Sequence, residues 1–353
     1  HLSRGLFNMT EPLTGKTYAD AGVDLDAAAS VKNIIKGIAS ATLNSAVIAG
    51  PGGFGGVIDP DPAGDTLLVA STDGVGTKLR IADALGRHDT VGASIVNHCI
   101  NDILPAGARP LFFLDYIGLS RFDAGKIAEI VSGLAKACAE SRCALLGGET
   151  ATMPDIYHGN DYDLAGFIVG TVRKDALLKP ENTRSGDVIL GLASDGLHTN
   201  GYSLVRSIFE TDKDPSVLAV NVPGTSNTLG EMLLRPHLSY LDAIGPVLDK
   251  IRGLGHITGG SFYKNIPRAL ASGLGANVDI SSWSIPPLFK FIQETGRVED
   301  REMFRVFNMG VGMTIIVEPG LEKDVLKSVP GSFRVGEVVV RPVGEERTNL
   351  IGL

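Results

Sequence analysis

The chain has 353 residues, of which 44% are hydrophobic and 20% charged, so it is a packed protein rather than a disordered one, with room for two domains. The formal net charge of −8 excludes the basic surface that binds nucleic-acid phosphates, and we expect no nucleic-acid partner. The apolar runs are shorter than the roughly 18 residues of a membrane span. We therefore expect no membrane contact. Because the three cysteines include no C-x-x-C pair, we also expect reduced thiols and a cytoplasmic location.

Eight residues precede Met9, and we interpret residues 1–16 as a flexible N-terminus or a remnant of expression. The stretch from Ala27 to Leu43 predicts an amphipathic helix. The apolar face of that helix consists of Val31, Ile34, Ile35 and Ile38. Lys36 lies on the same helix ahead of a glycine loop that contains Gly53, Phe54 and Gly55. This lysine could reach a nucleotide from there, but most helix lysines are simply solvated.

The run from Thr66 to Thr72 predicts a strand, and Asp73-Gly-Val-Gly-Thr-Lys78 then leads into a helix that ends near Leu85. At such a junction a carboxylate projects from the sheet edge, and the amides of Gly74 to Thr77 can meet a phosphate. Lys78 could neutralise phosphate charge. The segment lacks the Walker A spacing, and a structural Asp-Gly turn remains an alternative.

A second unit runs from a strand at Leu111–Tyr116, through a helix over residues 127–138, to Cys143-Ala-Leu-Leu-Gly-Gly-Glu149. Asp102 and Glu149 add two acids to Asp73, and Mg²⁺ binds through a few carboxylates together with substrate phosphates. Each acid alone could equally be a cap or a solvated charge. This order of elements predicts a mixed α/β fold.

The polar stretch after the strand at Gly166–Val172 predicts a domain boundary near residue 175, between an N-terminal domain of residues 17–174 and a C-terminal domain of residues 175–353. Strands are predicted at Val188–Leu190, Met313–Val317 and Phe333–Val340. In the second half, His198 stands in a glycine-bearing loop with Thr199 and Asn200 and is the best proton-exchanging candidate, with a capping role as the alternative. The loop from His256 to Gly260 suits a phosphate or ribose contact, while His256 could instead pack against its strand.

Read in order, these motifs resemble those of the AIR synthetase (phosphoribosylformylglycinamidine cyclo-ligase) family, from about Tyr18 to Val340. The segments that carry the resemblance are Tyr18–Asp24, Gly53–Gly55, Ser71–Lys78, Asn101–Asp102, Leu111–Tyr116, Gly147–Thr150, His158–Asp163, Gly196–Arg206, His256–Gly260 and Phe307–Met313. The resemblance implies a two-domain fold whose N-terminal mixed sheet joins that of a second copy into a barrel, so a homodimer. It also implies cyclisation of formylglycinamidine ribonucleotide with ATP and Mg²⁺, with K⁺ as a further candidate cation.

Carried onto this chain, the resemblance assigns Asp73, Asp102 and Glu149 to the metal. The nucleotide would be bound by Lys36, Gly53, Phe54, Gly55, Gly74, Gly76, Thr77 and Lys78. His198 and Asn200 would join Asp73 as catalytic residues, and Thr199, Thr258, Gly259 and Gly260 would bind the substrate. Departures from the family pattern at Asp155, Asn160, Ser261 and Lys264 concern the ribonucleotide contacts.

Two other functions fit the residues. The first is a kinase of the same fold that acts on another acceptor, such as thiamine monophosphate or selenide, because the Asp73 segment is shared by that wider superfamily. The absence of a cysteine near the N-terminus argues against the selenide enzyme. The second is a nucleotide-binding scaffold without turnover, because glycine loops can bind nucleotides without catalysing a reaction.

Overall fold

A computed structural model describes residues 15–342 and 344–353, so most of the predicted N-terminal segment of residues 1–16 lies outside the described part. The α-helices in the described residues are α1 (Leu25–Ser40), α2 (Lys78–Leu85), α3 (Asp89–Ile103), α4 (Ala124–Glu140), α5 (Tyr202–Phe209), α6 (Leu229–Leu233), α7 (Leu241–Ile244), α8 (Ser261–Asn265), α9 (Pro287–Gly296), α10 (Asp300–Val306) and α11 (Glu322–Ser328). Among the described helices, none combines the length and the apolar character that crossing a membrane requires.

The first sheet has the strand order β1-β2-β3-β6-β4-β5. Its strands are β1 (Val47–Ala49), β2 (Gly56–Ile58), β3 (Thr66–Gly74), β4 (Arg109–Leu119), β5 (Ala144–Thr152) and β6 (Tyr162–Arg173). Neighbouring strands are antiparallel except for β4 and β5, which are joined by α4 and run parallel. A helical crossover is what a parallel pair requires.

The second sheet has the order β12-β9-β11-β7-β10-β8. Its strands are β7 (Val188–Ala193), β8 (Gly253–His256), β9 (Leu274–Asp279), β10 (Val311–Val317), β11 (Ser332–Val340) and β12 (Thr348–Ile351). All seven residues of β10, which lies between β7 and the edge strand β8, are buried, so both faces of the sheet are covered at this strand. The predicted mixed α/β class is confirmed, and the predicted boundary near residue 175 falls between β6 and β7.

Two glycines fix how α3 and α4 cover the inner face of the first sheet. A Cβ atom at Gly92 would overlap the carbonyl oxygen of Ile130, and one at Gly133 would overlap that of Asp89. The two helices therefore approach more closely than side chains would allow. Helix α3 also packs against β3 and β6, and its C-terminal half lies beside the end of β3.

The outer face of the first sheet is uncovered in a single copy of the chain. Along β6, buried residues alternate with more exposed ones, and Phe167 on the outer face is 43% exposed. Phe167 pairs with Thr72 of β3 and Leu114 of β4, so its neighbours in the sheet lie on the same face. Leu146 on the edge strand β5 is 65% exposed. Apolar side chains on a sheet face indicate a surface that another molecule can cover.

The predicted amphipathic helix forms as α1, but its apolar face is not packed within the chain. Val31, Ile34, Ile35 and Ile38 are between 51% and 72% exposed. The helix begins where the Asp24 carboxylate accepts hydrogen bonds from the amides of Asp26 and Ala27, each at 2.9 Å. Its sequence pattern therefore predicts the helix correctly, while the expected burial of the apolar face is absent from the single chain.

A candidate active site where the two halves meet

The first half contributes Asp73 at the end of β3 and two residues of α3, His98 and Asp102. His98 Nε2 lies 2.9 Å from an oxygen of Asp73 and 3.6 Å from an oxygen of Asp102. The spacing of four residues places His98 and Asp102 on one face of α3, toward β3. The structure thus brings together two of the three predicted metal-binding acids, Asp73 and Asp102.

The second half closes over this group with two histidines and a hydroxyl. His256, the last residue of β8, places Nδ1 2.8 Å from Asp102, and its Nε2 lies 3.0 Å from Nε2 of His237. The Thr199 hydroxyl lies 2.6 Å from Nδ1 of His98 and 3.4 Å from Nδ1 of His237. A polar network therefore joins both halves of the chain at this point.

Charge in this network concentrates on one histidine and its two carboxylates. Burial opposes protonation of His98, but the facing Asp73 and Asp102 carboxylates raise its pKa to about 9. Partial burial opposes ionisation of Asp73, yet the His98 imidazolium lowers the pKa of this carboxyl overall. Burial lowers the pKa of His256 in spite of Asp102, and His256 is therefore neutral at pH 7.

His198 lies behind the network, with its side chain turned inward. Burial, helped by nearby cations, lowers its pKa well below the usual range, so the ring is neutral. Its Nε2 accepts the backbone amide of Asp195 at 3.3 Å, while its buried Nδ1 has no hydrogen-bond partner among the described residues. The ring stacks on His237 at 3.9 Å between centroids. In this geometry His198 supports the loop, and its neighbours Thr199 and Asn200 are the less buried residues.

The predicted glycine loop lies against the same acids. The Ser71 hydroxyl lies 3.3 Å from both the Phe54 carbonyl oxygen and an Asp102 carboxylate oxygen and can donate to either one. A Cβ atom at Gly55 would lie 3.6 Å from the Asp102 carbonyl oxygen, and one at Gly52 would lie 3.6 Å from Nζ of Lys36. The loop residues Gly53 to Gly55 are therefore brought to the site, and Lys36 lies beside them.

The two predicted substrate loops also meet. A Cβ atom at Gly259 would lie 3.1 Å from the Asn200 side-chain oxygen. Thr258 accepts the amide of Ser261 through its carbonyl oxygen at 2.8 Å, and Gly260, with φ of +86°, precedes α8. The turn at Thr258–Gly260 is thus fixed by its own backbone, next to Asn200.

Glu149 is not brought to the other acids within one copy. Residues pair across the sheet in two adjacent rows, one through Asp73, Gly166 and Asp115 and the other through Gly74, Ala165, Tyr116 and Glu149. Adjacent rows face opposite sides of a sheet. Glu149 therefore stands three strands from β3 on the outer face, and its metal role stays a prediction.

The predicted phosphate cradle after Asp73 is partly occupied by the protein. The Gly74 amide donates to the Asp73 carboxylate at 2.7 Å, and the Val75 amide donates to the Leu164 carbonyl oxygen at 3.0 Å. Gly76, with φ of +69°, precedes Thr77, whose hydroxyl lies 3.1 Å from that of Ser203. Lys78 is fully buried, and its ammonium donates to protein oxygens instead of facing the site surface.

Sequence reasoning missed His98 and His237 and left His256 undecided. A signal for His98 was present, because His98 and Asp102 are four residues apart on a predicted helix. His237 lies in the segment between α6 and α7 and carries no motif. Only the tertiary fold brings it to His256.

Comparison with known proteins identifies the family. Residues 44–172 match the N-terminal domain of the AIR synthase related proteins, and residues 184–348 match the C-terminal domain. The chain belongs to the AIR synthase family. The predicted resemblance is therefore confirmed. The phosphoribosylformylglycinamidine cyclo-ligase of Alkaliphilus metalliredigens is 47% identical over 315 residues, covering 88% of this chain and 90% of that protein. The chloroplastic one of Arabidopsis thaliana is 46% identical over 329 residues, covering 91% of this chain and 81% of that protein.

Solved structures of more distant proteins share the fold. AaThiL complexed with AMPPCP and TMP superposes with a TM-score of 0.61 at 15% identity, covering 91% of this chain and 93% of that one. T. maritima PurL complexed with FGAR gives a TM-score of 0.58 at 20% identity, covering 84% of this chain and 45% of that one. At these identities the likeness establishes the AIR synthase-like fold alone.

Proposed function

We propose that this chain is a ligase that uses ATP to cyclise formylglycinamidine ribonucleotide to aminoimidazole ribonucleotide, with release of ADP and phosphate. The reaction is supported by the relatives named phosphoribosylformylglycinamidine cyclo-ligase, whose matches cover about nine-tenths of the chain. The contact that carries the proposal is the 2.6 Å hydrogen bond between His98 Nδ1 and the Thr199 hydroxyl. Through His98, which faces Asp73 and Asp102, this hydrogen bond connects the acids assigned to the nucleotide with the loop assigned to the substrate.

The nucleotide side of the proposed site consists of Lys36, the Gly53–Gly55 loop and the acids Asp73 and Asp102. The Asp73 side chain is 45% exposed, so one side of the carboxylate is open to a ligand. Carboxylate oxygens suit Mg²⁺, which binds through a few protein carboxylates together with phosphates. When bound, the ion would neutralise charge on the transferred phosphoryl group. A direct phosphate contact from Lys78 would require its buried ammonium to leave three protein oxygens.

On the substrate side, Asn200 and the Thr258–Gly260 turn would bind and orient the ribonucleotide, and the proximity of Gly259 to the Asn200 side chain supports this assignment. In the proposed reaction the formyl oxygen attacks the γ-phosphorus of ATP, and ADP leaves. The amidine nitrogen then attacks the same formyl carbon, loses a proton, and phosphate leaves with the original oxygen. Holding the amidine nitrogen near the activated carbon supplies much of such catalysis. Because His198 is neutral and buried, we assign it to positioning Thr199 and Asn200.

We further propose that two copies associate through the uncovered outer face of the first sheet. The exposure of Phe167 on that face supports this interface, and Leu146 of the edge strand β5 is exposed as well. The formylglycinamidine substrate and the second copy are thus the proposed partners. K⁺ as a further cation stays a prediction. The cytoplasmic location also stays one, since the name of the Arabidopsis relative places that protein in the chloroplast.

The proposal is tested with purified protein, ATP, Mg²⁺ and K⁺. We expect ADP release that depends on formylglycinamidine ribonucleotide, together with formation of aminoimidazole ribonucleotide. Thiamine monophosphate serves as the competing acceptor in a parallel assay. ADP release with that acceptor alone would contradict the proposal in favour of the kinase. ATP binding without turnover on either acceptor would contradict it in favour of the scaffold.

A further inference from the structure

Four of the chain's seven histidines are buried together beside the buried Asp102 and the partly exposed Asp73. We call these six residues the histidine cluster: Asp73, His98, Asp102, His198, His237 and His256. We propose that His98, Asp102 and His256 of this cluster bind one divalent transition-metal ion, such as Zn²⁺, with Asp73 as a fourth ligand. The inference goes beyond the proposed cyclisation, because it concerns the free protein without nucleotide.

The distances in the cluster fit such an ion. One ligand atom from each of His98, Asp102 and His256 lies within 4.8 Å of the other two. Bonds of roughly 2.0–2.2 Å in a tetrahedral site separate neighbouring ligand atoms by about 3.4 Å. The 3.6 Å between His98 Nε2 and Asp102 is close to that value. The contacts at 2.9 Å to Asp73 and 2.8 Å from His256 need to open by roughly half an ångström to reach that separation.

The outer nitrogens of both histidines have the partners that metal-binding histidines usually have. With Nε2 of His98 on the metal, its Nδ1–H can donate to the Thr199 hydroxyl, 2.6 Å away. With Nδ1 of His256 on the metal, its Nε2–H can donate to Nε2 of His237, 3.0 Å away. Such second contacts fix the tautomer and the ring orientation of a ligand histidine. The network therefore directs one nitrogen of each ring at Asp102.

The donor set favours a transition metal over Mg²⁺. Imidazole suits Zn²⁺, Co²⁺ and similar ions, whereas Mg²⁺ takes oxygen ligands and dehydrates reluctantly. His98, Asp102 and His256 are all buried, so an ion among them would lose most of its water. The two carboxylates balance a charge of +2. The competing interpretation is an ion-pair cluster in which a protonated His98 alone neutralises the acids.

The test uses full-length protein that has been freed of metal with a chelator. We expect titration with Co²⁺ to give one equivalent of bound ion with the visible absorption of a four-coordinate site. Zn²⁺ should remove that absorption, and a large excess of Mg²⁺ should not. The double variant H98Q/H256N keeps amide donors to Asp73 and Asp102 but removes both imidazoles. This double variant should bind Co²⁺ at least about 100-fold more weakly than the wild type. Such a loss exceeds the one expected when only a hydrogen-bond partner of a metal ligand is removed.

The variant H158A, at an exposed histidine outside the cluster, is the matched control and should bind Co²⁺ like the wild type. Circular dichroism and thermal unfolding of each variant show that it is folded. Equal Co²⁺ binding by the wild type and a folded double variant, or displacement of Co²⁺ by Mg²⁺, would overturn the inference in favour of the ion-pair cluster. Neither titration contains nucleotide or ribonucleotide, so these outcomes are independent of the cyclisation assay.

Discussion

Lys78 donates a hydrogen bond from Nζ to the carbonyl oxygen of His198, over 3.1 Å and across the two halves of the chain. The same ammonium donates to the Ser94 hydroxyl at 3.1 Å and to the carbonyl oxygen of Arg235. Burial lowers the pKa of Lys78 to about 7. A side chain predicted to bind phosphate thus connects the nucleotide half to the loop of the substrate half.

We expect Lys78→Met to destabilise the fold. The substitution keeps the length of the side chain but leaves the His198 and Arg235 carbonyl oxygens without this donor. The expected loss is about 1–3 kcal/mol in the free energy of unfolding. Urea denaturation measures it, with Lys213→Met at an exposed position as the control. Equal stability of the two variants would contradict the connecting role.

The raised pKa of His98 predicts a dependence of stability on pH. Because the folded pKa is about 9 and the usual value is 6.5, the contribution is fully present below about pH 6.5 and is lost as pH rises toward 9. It corresponds to roughly 3 kcal/mol. The measurement is the difference in unfolding free energy between wild type and His98→Gln, in chelator, across that range. A difference that does not change with pH would contradict it.

We expect Asp73→Asn to abolish most of the proposed activity. The amide removes the negative charge that faces the open side of the site, while it retains the shape of the side chain. Loss of a single electrostatic group of this kind lowers turnover by about 100-fold or more. Substrate-dependent ADP release measures the effect, with Asp65→Asn just before β3 as the control. Full activity of the Asp73 variant would exclude our assignment of this residue.

Gly259→Ala should weaken substrate binding with little effect on folding. The added methyl would lie 3.1 Å from the Asn200 side-chain oxygen and would displace it. We therefore expect a raised KM for the ribonucleotide and an unchanged KM for ATP. Gly37→Ala is a suitable control, because a Cβ atom there meets nothing within 4 Å. If the two KM values rise together, Gly259 does not belong to the substrate side.

Phe167→Lys should prevent association of two copies. The side chain stands on the uncovered outer face, where a buried charge without a partner would cost several kcal/mol. Analytical ultracentrifugation should show a dimer for the wild type and a monomer for the variant. The control is Phe122→Lys, another exposed phenylalanine that lies in the turn between β4 and α4. A dimeric Phe167 variant would place the interface elsewhere.

The sequence predicted the local elements around the site well, because their signals are local. Strand β3, helix α2 and helix α4 formed where the patterns of Thr66–Thr72, Lys78–Leu85 and residues 127–138 indicated them. Periodicity and glycine position are properties of short segments. The family could be predicted for a similar reason, because the motifs are short segments that occur in the family's order along the chain.

What the sequence could not predict depends on tertiary arrangement. Gly148 and Glu149 lie on opposite faces of β5, and the register of β5 with β4 determines which face of the sheet carries Glu149. From the sequence, Lys78 looked available to bind phosphate. Its ammonium instead donates to the carbonyl oxygens of His198 and Arg235, which are more than a hundred residues away along the chain. His237 and His256 are 19 residues apart, and only the tertiary fold brings the segment before α7 against the end of β8.

The exposed apolar side of α1 affects how firmly Lys36 is positioned. A helix of 16 residues with few packing contacts has little stability beyond that of an isolated peptide. Its backbone amides should therefore exchange with deuterium quickly in a single copy of the chain. Any molecule that covers Val31 and Ile35 would slow this exchange and, through Lys36, prepare the glycine loop for its ligand.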